Sequence, residues 1–331
     1  MKIKVISGEY LKSNMEKIRW STEKGEKKMT NEQRMKNLSV PSGKIDVVLD
    51  TDAYNEIDDQ FAIAYMMKSK EKLDVKAIYA APFLNENSKS AKDGMEQSYE
   101  EIKKLLNLMG EAVDVFKGSQ DYLTSENEGQ ISPAAQDLAK RAEEYSPQKP
   151  LYVVAIGAIT NIASAIIMNK YVAENCVIVW LGGHAHHWHD TMEFNMYQDV
   201  AAARVVMKSG VPFIQLPCMG VVSTFSTSKP ELEYWLKGKN ALSDNLLEHT
   251  VETAESYASG TTWTRIIWDV TAVGWLLNDG DRFMNSRIVP TPVPSYDNLY
   301  SANYNGMPMQ YVYNINRDAL MTDLFKKITE N

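Results

Sequence analysis

The chain has 331 residues, enough for one large α/β domain with insertions, and 44% of them are hydrophobic, enough to bury a sizeable core. A formal net charge of -8, with no basic face outside the short N-terminal region, argues against a nucleic-acid partner. No apolar run reaches the length of a bilayer span and the opening MKIKVISGEYLKSN lacks an apolar signal-peptide core, so a cytoplasmic protein without membrane contact is predicted.

Residues 1–42 are rich in Lys, Glu, Asn and Ser and read as a partly ordered extension, in which TNEQRMKNL starts a short helix capped by Thr30. Residues 43–331 read as a single domain. IDVVLD, from Ile45, is a short apolar strand, and DDQFAIAYMMKS places Phe61, Ile63, Ala64 and Met67 on one helical face. DVKAIYAAP is a second strand, followed by the helix MEQSYEEIKKLLNLMG, closed by Gly110. The strands LYVVAIG, CVIVWLGG and PFIQLPC then alternate with the helices NIASAIIMN and DVAAARVVMKSG. Cys176 and Cys218 lie in two of these apolar strands and read as buried small hydrophobes of a reducing compartment. Strands apolar on both faces, alternating with helices, predict an α/β fold with a mostly parallel sheet flanked by helices. In such sheets ligands bind at the carboxyl ends of the strands. Beyond Pro217, SKPELEYWLKG, DNLLEHTVETAESYAS and IIWDVTAVGWLLND read as helices, and the tail from RIVPTPVPSYDN to MQYVYNI as irregular segments and short strands.

The stretch VVLDTDAYNEIDD ends the first strand with five carboxylates, Asp50, Asp52, Glu56, Asp58 and Asp59. Like charges this close oppose one another's ionisation unless something positive sits among them. Asp58 and Asp59 suit the N-terminus of the following helix, but helix capping does not explain Asp50 and Asp52. Converging carboxylate oxygens suit a hard cation, Ca²⁺ or Mg²⁺. An EF-hand is excluded, because Asn55 and Phe61 stand where Gly and Glu would be needed. Strand-D-x-D also opens the nucleophile motif of dehalogenase-type phosphatases, but Ala53-Tyr54-Asn55 lacks the small hydroxyl residue that should follow.

The longer pattern D-x-D-(x5)-D-D before an apolar helix resembles the metal loop of the inosine–uridine-preferring nucleoside hydrolase family. AIGAITNIASAI (155–166) resembles the family's G-P-L-T-N-I-A segment, MEFNMYQDVAAA (192–203) its A-E-F-N segment, and WDVTAV (268–273) the helix that ends its site. The likeness runs in order from Asp46 to Asn278, with the first loop two residues longer than the commonest form. It implies a Rossmann-like nucleoside hydrolase fold and Ca²⁺-dependent hydrolysis of ribonucleosides to base and ribose, in nucleoside salvage, by a homodimer or homotetramer. By motif position, Asp52, Asp59, Asp269 and the Ile156 carbonyl would ligate Ca²⁺, with Asp52 also the general base. Asp58 would hold the ribose 2′-hydroxyl, Glu193 and Asn195 the other ribose hydroxyls, and Asp50 would support the ligands from behind. Glu56 has no implied role and is expected to face solvent.

Two departures concern the leaving base. Trp268 stands where many members carry a histidine that protonates it; a tryptophan can stack on a base but cannot act as an acid. Trp188 and Trp263 are further candidates for base contact, although Trp263 and Trp275 also read as core aromatics. The second departure is HAHHWHD (184–190). A zinc site is one reading of its four histidines. The resemblance instead places the loop over the ribose 5′ side, with His187 or His189 contacting the substrate or a leaving group. TSENEGQIS (124–132) supplies no histidine for the base-proximal loop of pyrimidine-preferring members. The rival to an active hydrolase is an impaired Ca²⁺-bound ribose- or nucleoside-binding homologue, against which the full set Asp52, Asp58, Asp59, Glu193, Asn195 and Asp269 argues.

Overall fold

The computed structural model describes residues 29–330, so most of the expected extension over 1–42 lies outside the described residues. Thr30 caps helix α1 (Asn31–Asn37), its hydroxyl accepting from the Gln33 amide at 3.1 Å. The helix is fastened to the body: Arg34 donates to the Gly210 carbonyl, Asn37 donates to the Pro147 carbonyl at 2.9 Å, and Leu38 is buried in the core.

Eight strands form the main sheet: β1 (Ile45–Thr51), β2 (Leu73–Ala80), β3 (Asp114–Lys117), β4 (Leu151–Ala155), β5 (Cys176–Leu181), β6 (Phe213–Leu216), β7 (Met284–Pro290) and β8 (Pro308–Ile315). Their order is β3-β2-β1-β4-β5-β6-β8-β7, and every neighbouring pair is parallel except β8 with β7. Period-two alternation divides the strand residues between two cores. Val47, Leu49 and Val154 face one, while Val48, Val153 and Ala155 face the other. Helices cover both faces, as strands without a polar side require.

On one side lie α2 (Asp58–Met67), α3 (Ala91–Met109), α9 (Ala241–Ala258), α10 (Val270–Leu276) and α11 (Arg317–Thr329), with α8 (Lys229–Leu236) beside them. The other side is covered by α4 (Pro133–Arg141), α5 (Thr160–Met168) and α7 (Val200–Lys208), the last preceded by the short α6 (Phe194–Gln198). Gly110 closes α3 at φ 66°, in the left-handed region that glycine enters at little cost. Among the described residues no helix is long and apolar enough to cross a membrane.

Two sequence expectations are corrected. Helix α2 is buried on every side rather than along one face, because α3, α10 and α11 pack around it against the sheet. The tail is more regular than expected: β8 and β7 extend the sheet, and α11 buries Leu320, Leu324, Phe325 and Ile328. The order reverses at β1 and β4, whose carboxyl ends therefore flank an open crevice.

Candidate active site

The acidic residues converge on that crevice. Asp50, still within β1, is fully buried, and its Oδ1 accepts from Asn161 Nδ2 at 2.8 Å. Asn161 also donates to the Ala80 carbonyl at 3.3 Å and accepts from the Ser119 amide and hydroxyl at 2.8 and 2.9 Å. One amide thus ties together the ends of β1 and β2 and the turn after β3. Burial pushes the Asp50 carboxyl up to about 7, with the Asn161 bond opposing the shift.

Asp52 follows β1 and is also fully buried, yet neither of its carboxylate oxygens has a hydrogen-bond partner. Gly157 makes room for it: a Cβ there would lie 2.9 Å from Asp52 Oδ1. Asp58 and Asp59 open α2, and Asp269 immediately precedes α10. Asp59 accepts from the Thr51 hydroxyl, while Asp58 Oδ1 is buried without a partner. Asp58, Asp59 and Asp269 offer oxygens within 4.8 Å of one another, a grouping that does not include Asp52. Burial first, and then the neighbouring carboxylates, hold Asp52, Asp59 and Asp269 well above the usual carboxylate range. Burial also raises Asp58, against the pull of the Arg265 charge. Desolvated negative charge of this density fits a hard divalent cation with oxygen ligands.

The opposite wall is built from α6. Glu193 caps that helix, accepting from the amides of Gly183 at 2.7 Å, Asn195 at 2.9 Å and Met196 at 3.0 Å. Asn195 Nδ2 donates to the Ile156 carbonyl at 3.2 Å and to the Leu181 carbonyl at 3.0 Å, joining the ends of β4 and β5. Ile156, Glu193 and Asn195 line a cavity of about 200 Å³ together with Asp58, Asp59 and Asp269. Strand alternation predicts Glu193 and Asn195 on one side, but the segment is a helix start, and Phe194 lines the cavity as well.

Trp268 lines the cavity, as its motif position implies. Trp188 stacks edge-on against His184 with 5.9 Å between centroids, Trp263 packs half-buried against the core, and Trp275 is fully buried within it. Within the histidine loop it is His184 that lines the cavity, its Nδ1 accepting from the Met219 amide at 3.3 Å. His187 and His189 are exposed, the latter within 3.0 Å of Asp190. His186 meets Gln215 at 2.9 Å and packs on Tyr311 and Tyr300. The rings point to different partners, so the zinc reading is not supported; the metal-capable group among the described residues is the aspartate one.

Glu56 is exposed, as expected, but it also lines the cavity and pairs with Arg265 at 2.7 Å. The sequence offers His184 only as one of the four candidate zinc histidines, and it points to no site role for Cys218, Met219 or Arg265. The first three directly follow β5 and β6, so their position at strand carboxyl ends was the available signal. Arg265 lies in a two-residue strand paired with Ser226–Thr227 and carried no local signal.

The sequence model of the family described as inosine-uridine preferring nucleoside hydrolase matches residues 47–310. The fold is similar to that of a plant nucleoside hydrolase, at 18% identity and TM-score 0.68, over 88% of this chain and 100% of that one. It is similar to a purine-preferring ribonucleoside hydrolase from Gardnerella vaginalis, at 17% identity and TM-score 0.70, over 86% of this chain and 98% of that one. An inosine-uridine preferring nucleoside hydrolase from Bacillus anthracis is similar at 16% identity and TM-score 0.63, over 86% of this chain and 99% of that one. No curated protein matches the chain.

Proposed function

Because the chain belongs to the inosine-uridine preferring nucleoside hydrolase family, a family of N-glycosidases, we propose that it hydrolyses ribonucleosides to free base and ribose in a Ca²⁺-dependent reaction. The observation that carries this reading is the set of buried carboxylate oxygens on Asp52 and Asp58 that have no partner, beside Asp59 and Asp269. Buried anions without partners are strongly disfavoured unless a cation meets them.

In this reading Asp52, Asp59, Asp269 and the Ile156 carbonyl hold the ion, a carboxylate and carbonyl set that suits Ca²⁺. Bound there, the ion supplies a Lewis acid that eases deprotonation of the attacking water. Asp52 accepts that proton. Asp58 accepts from the ribose 2′-hydroxyl. Glu193 and Asn195 hold the remaining hydroxyls, their side chains oriented by bonds to the Gly183 and Asn195 amides and the Ile156 carbonyl. Positive charge grows on the sugar as the glycosidic bond lengthens, and the surrounding carboxylates favour it. Trp268 offers a stacking face to the base. Asp50, clamped by Asn161, keeps the end of β1 in place. His187 is exposed and reaches the substrate in this reading only if its loop closes over the 5′ side. We further read the protein as a cytoplasmic homo-oligomer acting in nucleoside salvage.

The deciding experiment incubates the protein with purine and pyrimidine ribonucleosides, with and without chelator, and assays reducing sugar. Chelator-sensitive ribose release supports the hydrolase. Ribose binding with no release from any nucleoside would replace it with the impaired binding homologue. The family assignment sets the dehalogenase-type phosphatase aside.

A further inference from the structure

Cleavage of the C1′–N bond leaves its electron pair on the base, and a base departing as an anion must leave a cavity lined by carboxylates. Trp268 has no acidic proton to give it. A cation stands beside the mouth. Arg265, three residues before Trp268, has a side chain only 17% exposed. Its Nη2 donates to Glu56 at 2.7 Å and its Nη1 to the Tyr257 hydroxyl at 3.2 Å. Its Nε is buried and has no partner. Asn55 and Glu56 line both the cavity and an adjoining open cleft of about 760 Å³, and Arg265 lines that cleft. The guanidinium is therefore tied, through Glu56, to the boundary of the two spaces, with one buried donor unused.

Resting on the hydrolase reading above, we propose that Arg265 stabilises the departing base, with Glu56 as the residue that positions its guanidinium. The water oxygen bonds to C1′ while the C1′–N pair moves to the base nitrogen. Asp52 takes the water's proton. The Arg265 Nε–H donates a hydrogen bond to the base as negative charge builds on it. The guanidinium stays protonated throughout, so it acts by charge and not as an acid. The base collects its proton from solvent in the cleft, and Asp52 returns its own to solvent.

The test compares leaving groups. Wild type, Arg265→Met, Arg265→Lys and Glu56→Gln are assayed with a ribonucleoside and with p-nitrophenyl riboside, whose nitrophenolate leaves without help. Loss of one preorganised donor costs about 100-fold. The expected result is a fall of that order in kcat/KM for the ribonucleoside with Arg265→Met, against a fall of less than about threefold for the nitrophenyl substrate. Arg265→Lys recovers part of the loss, and Glu56→Gln shows a milder form of the same selectivity. An equal loss on both substrates, or none on either, overturns the proposal. If the Met variant does not fold, the Lys variant carries the same comparison: a selective loss on the ribonucleoside supports the proposal, and an equal loss or none overturns it. A wild type that releases ribose from neither substrate would instead remove the hydrolase reading, and this inference with it.

Discussion

Among the buried aspartates, Asp52 and Asp58 are the two whose roles a carboxamide can separate. Asp52→Asn keeps the shape of the side chain but removes a charge and a base. It should lower kcat by about 10²- to 10⁴-fold, the range for loss of a positioned base, and weaken Ca²⁺ binding measured by calorimetry. Asp58→Asn should leave Ca²⁺ binding largely intact and erase the preference for ribonucleosides over 2′-deoxyribonucleosides. Loss of the ion in both variants would mean that Asp58 ligates it, as its grouping with Asp59 and Asp269 within 4.8 Å also allows. Legibility at this scale followed chemistry. Asp58, Asp59, Glu193, Asn195, Asp269 and Trp268 all reach the cavity from motif positions read in the sequence. Which histidine of 184–189 turns inward was not legible, because a loop has no period to fix side-chain direction. His184 is set by its bond to the Met219 amide, a partner 35 residues away.

Strand ends and helix starts do the positioning. Gly157 shows how little slack they leave: a Cβ there would come within 2.9 Å of Asp52 Oδ1 and 3.1 Å of the Ala81 Cβ. Gly157→Ala should therefore weaken Ca²⁺ binding by at least about tenfold and cost about 1–3 kcal/mol of stability, as overpacking does; calorimetry and denaturant titration check both. The strands β1, β4 and β5 were legible because uninterrupted apolar residues admit few other readings. The tail was not. β7 is an edge strand with the mixed burial of a half-exposed surface, and a proline-containing loop separates it from its partner β8. The helical period of Leu320, Leu324 and Ile328 was present in the sequence, and α11 could have been found from it.

Across the whole molecule, the acidic floor links stability to pH and metal. Burial pushes Asp50 up to about 7 in the folded chain from an ordinary 3.8, and burial with neighbouring carboxylates also raises Asp52, Asp59 and Asp269. A raised folded value means stability fully present below the unfolded pKa and lost as pH climbs through the folded one. The chelated protein should thus show a falling Tm between pH 5 and about pH 8. Added Ca²⁺ should restore more of it at the upper end, where protons no longer compete for the carboxylates. A Tm of the chelated protein that rises across this window would contradict the linkage. The fold class was legible at this scale because alternation of apolar strands and helices specifies a parallel sheet, whereas the antiparallel pairing of β7 with β8 depends on contacts remote in sequence.

The floor and the rim of the cavity come from different kinds of chain. Asp50, Ile156 and the amide clamps of Asn161 and Asn195 are built into or directly onto strands that two cores grip from opposite sides. His184, Met219 and Trp268 come from connecting segments around the opening. Substitutions at the rim can accumulate without disturbing the bond-breaking floor. Such a molecule can exchange one nucleobase for another over evolutionary time while its hydrolytic chemistry stays fixed, and a designer seeking a new substrate would start at those three positions.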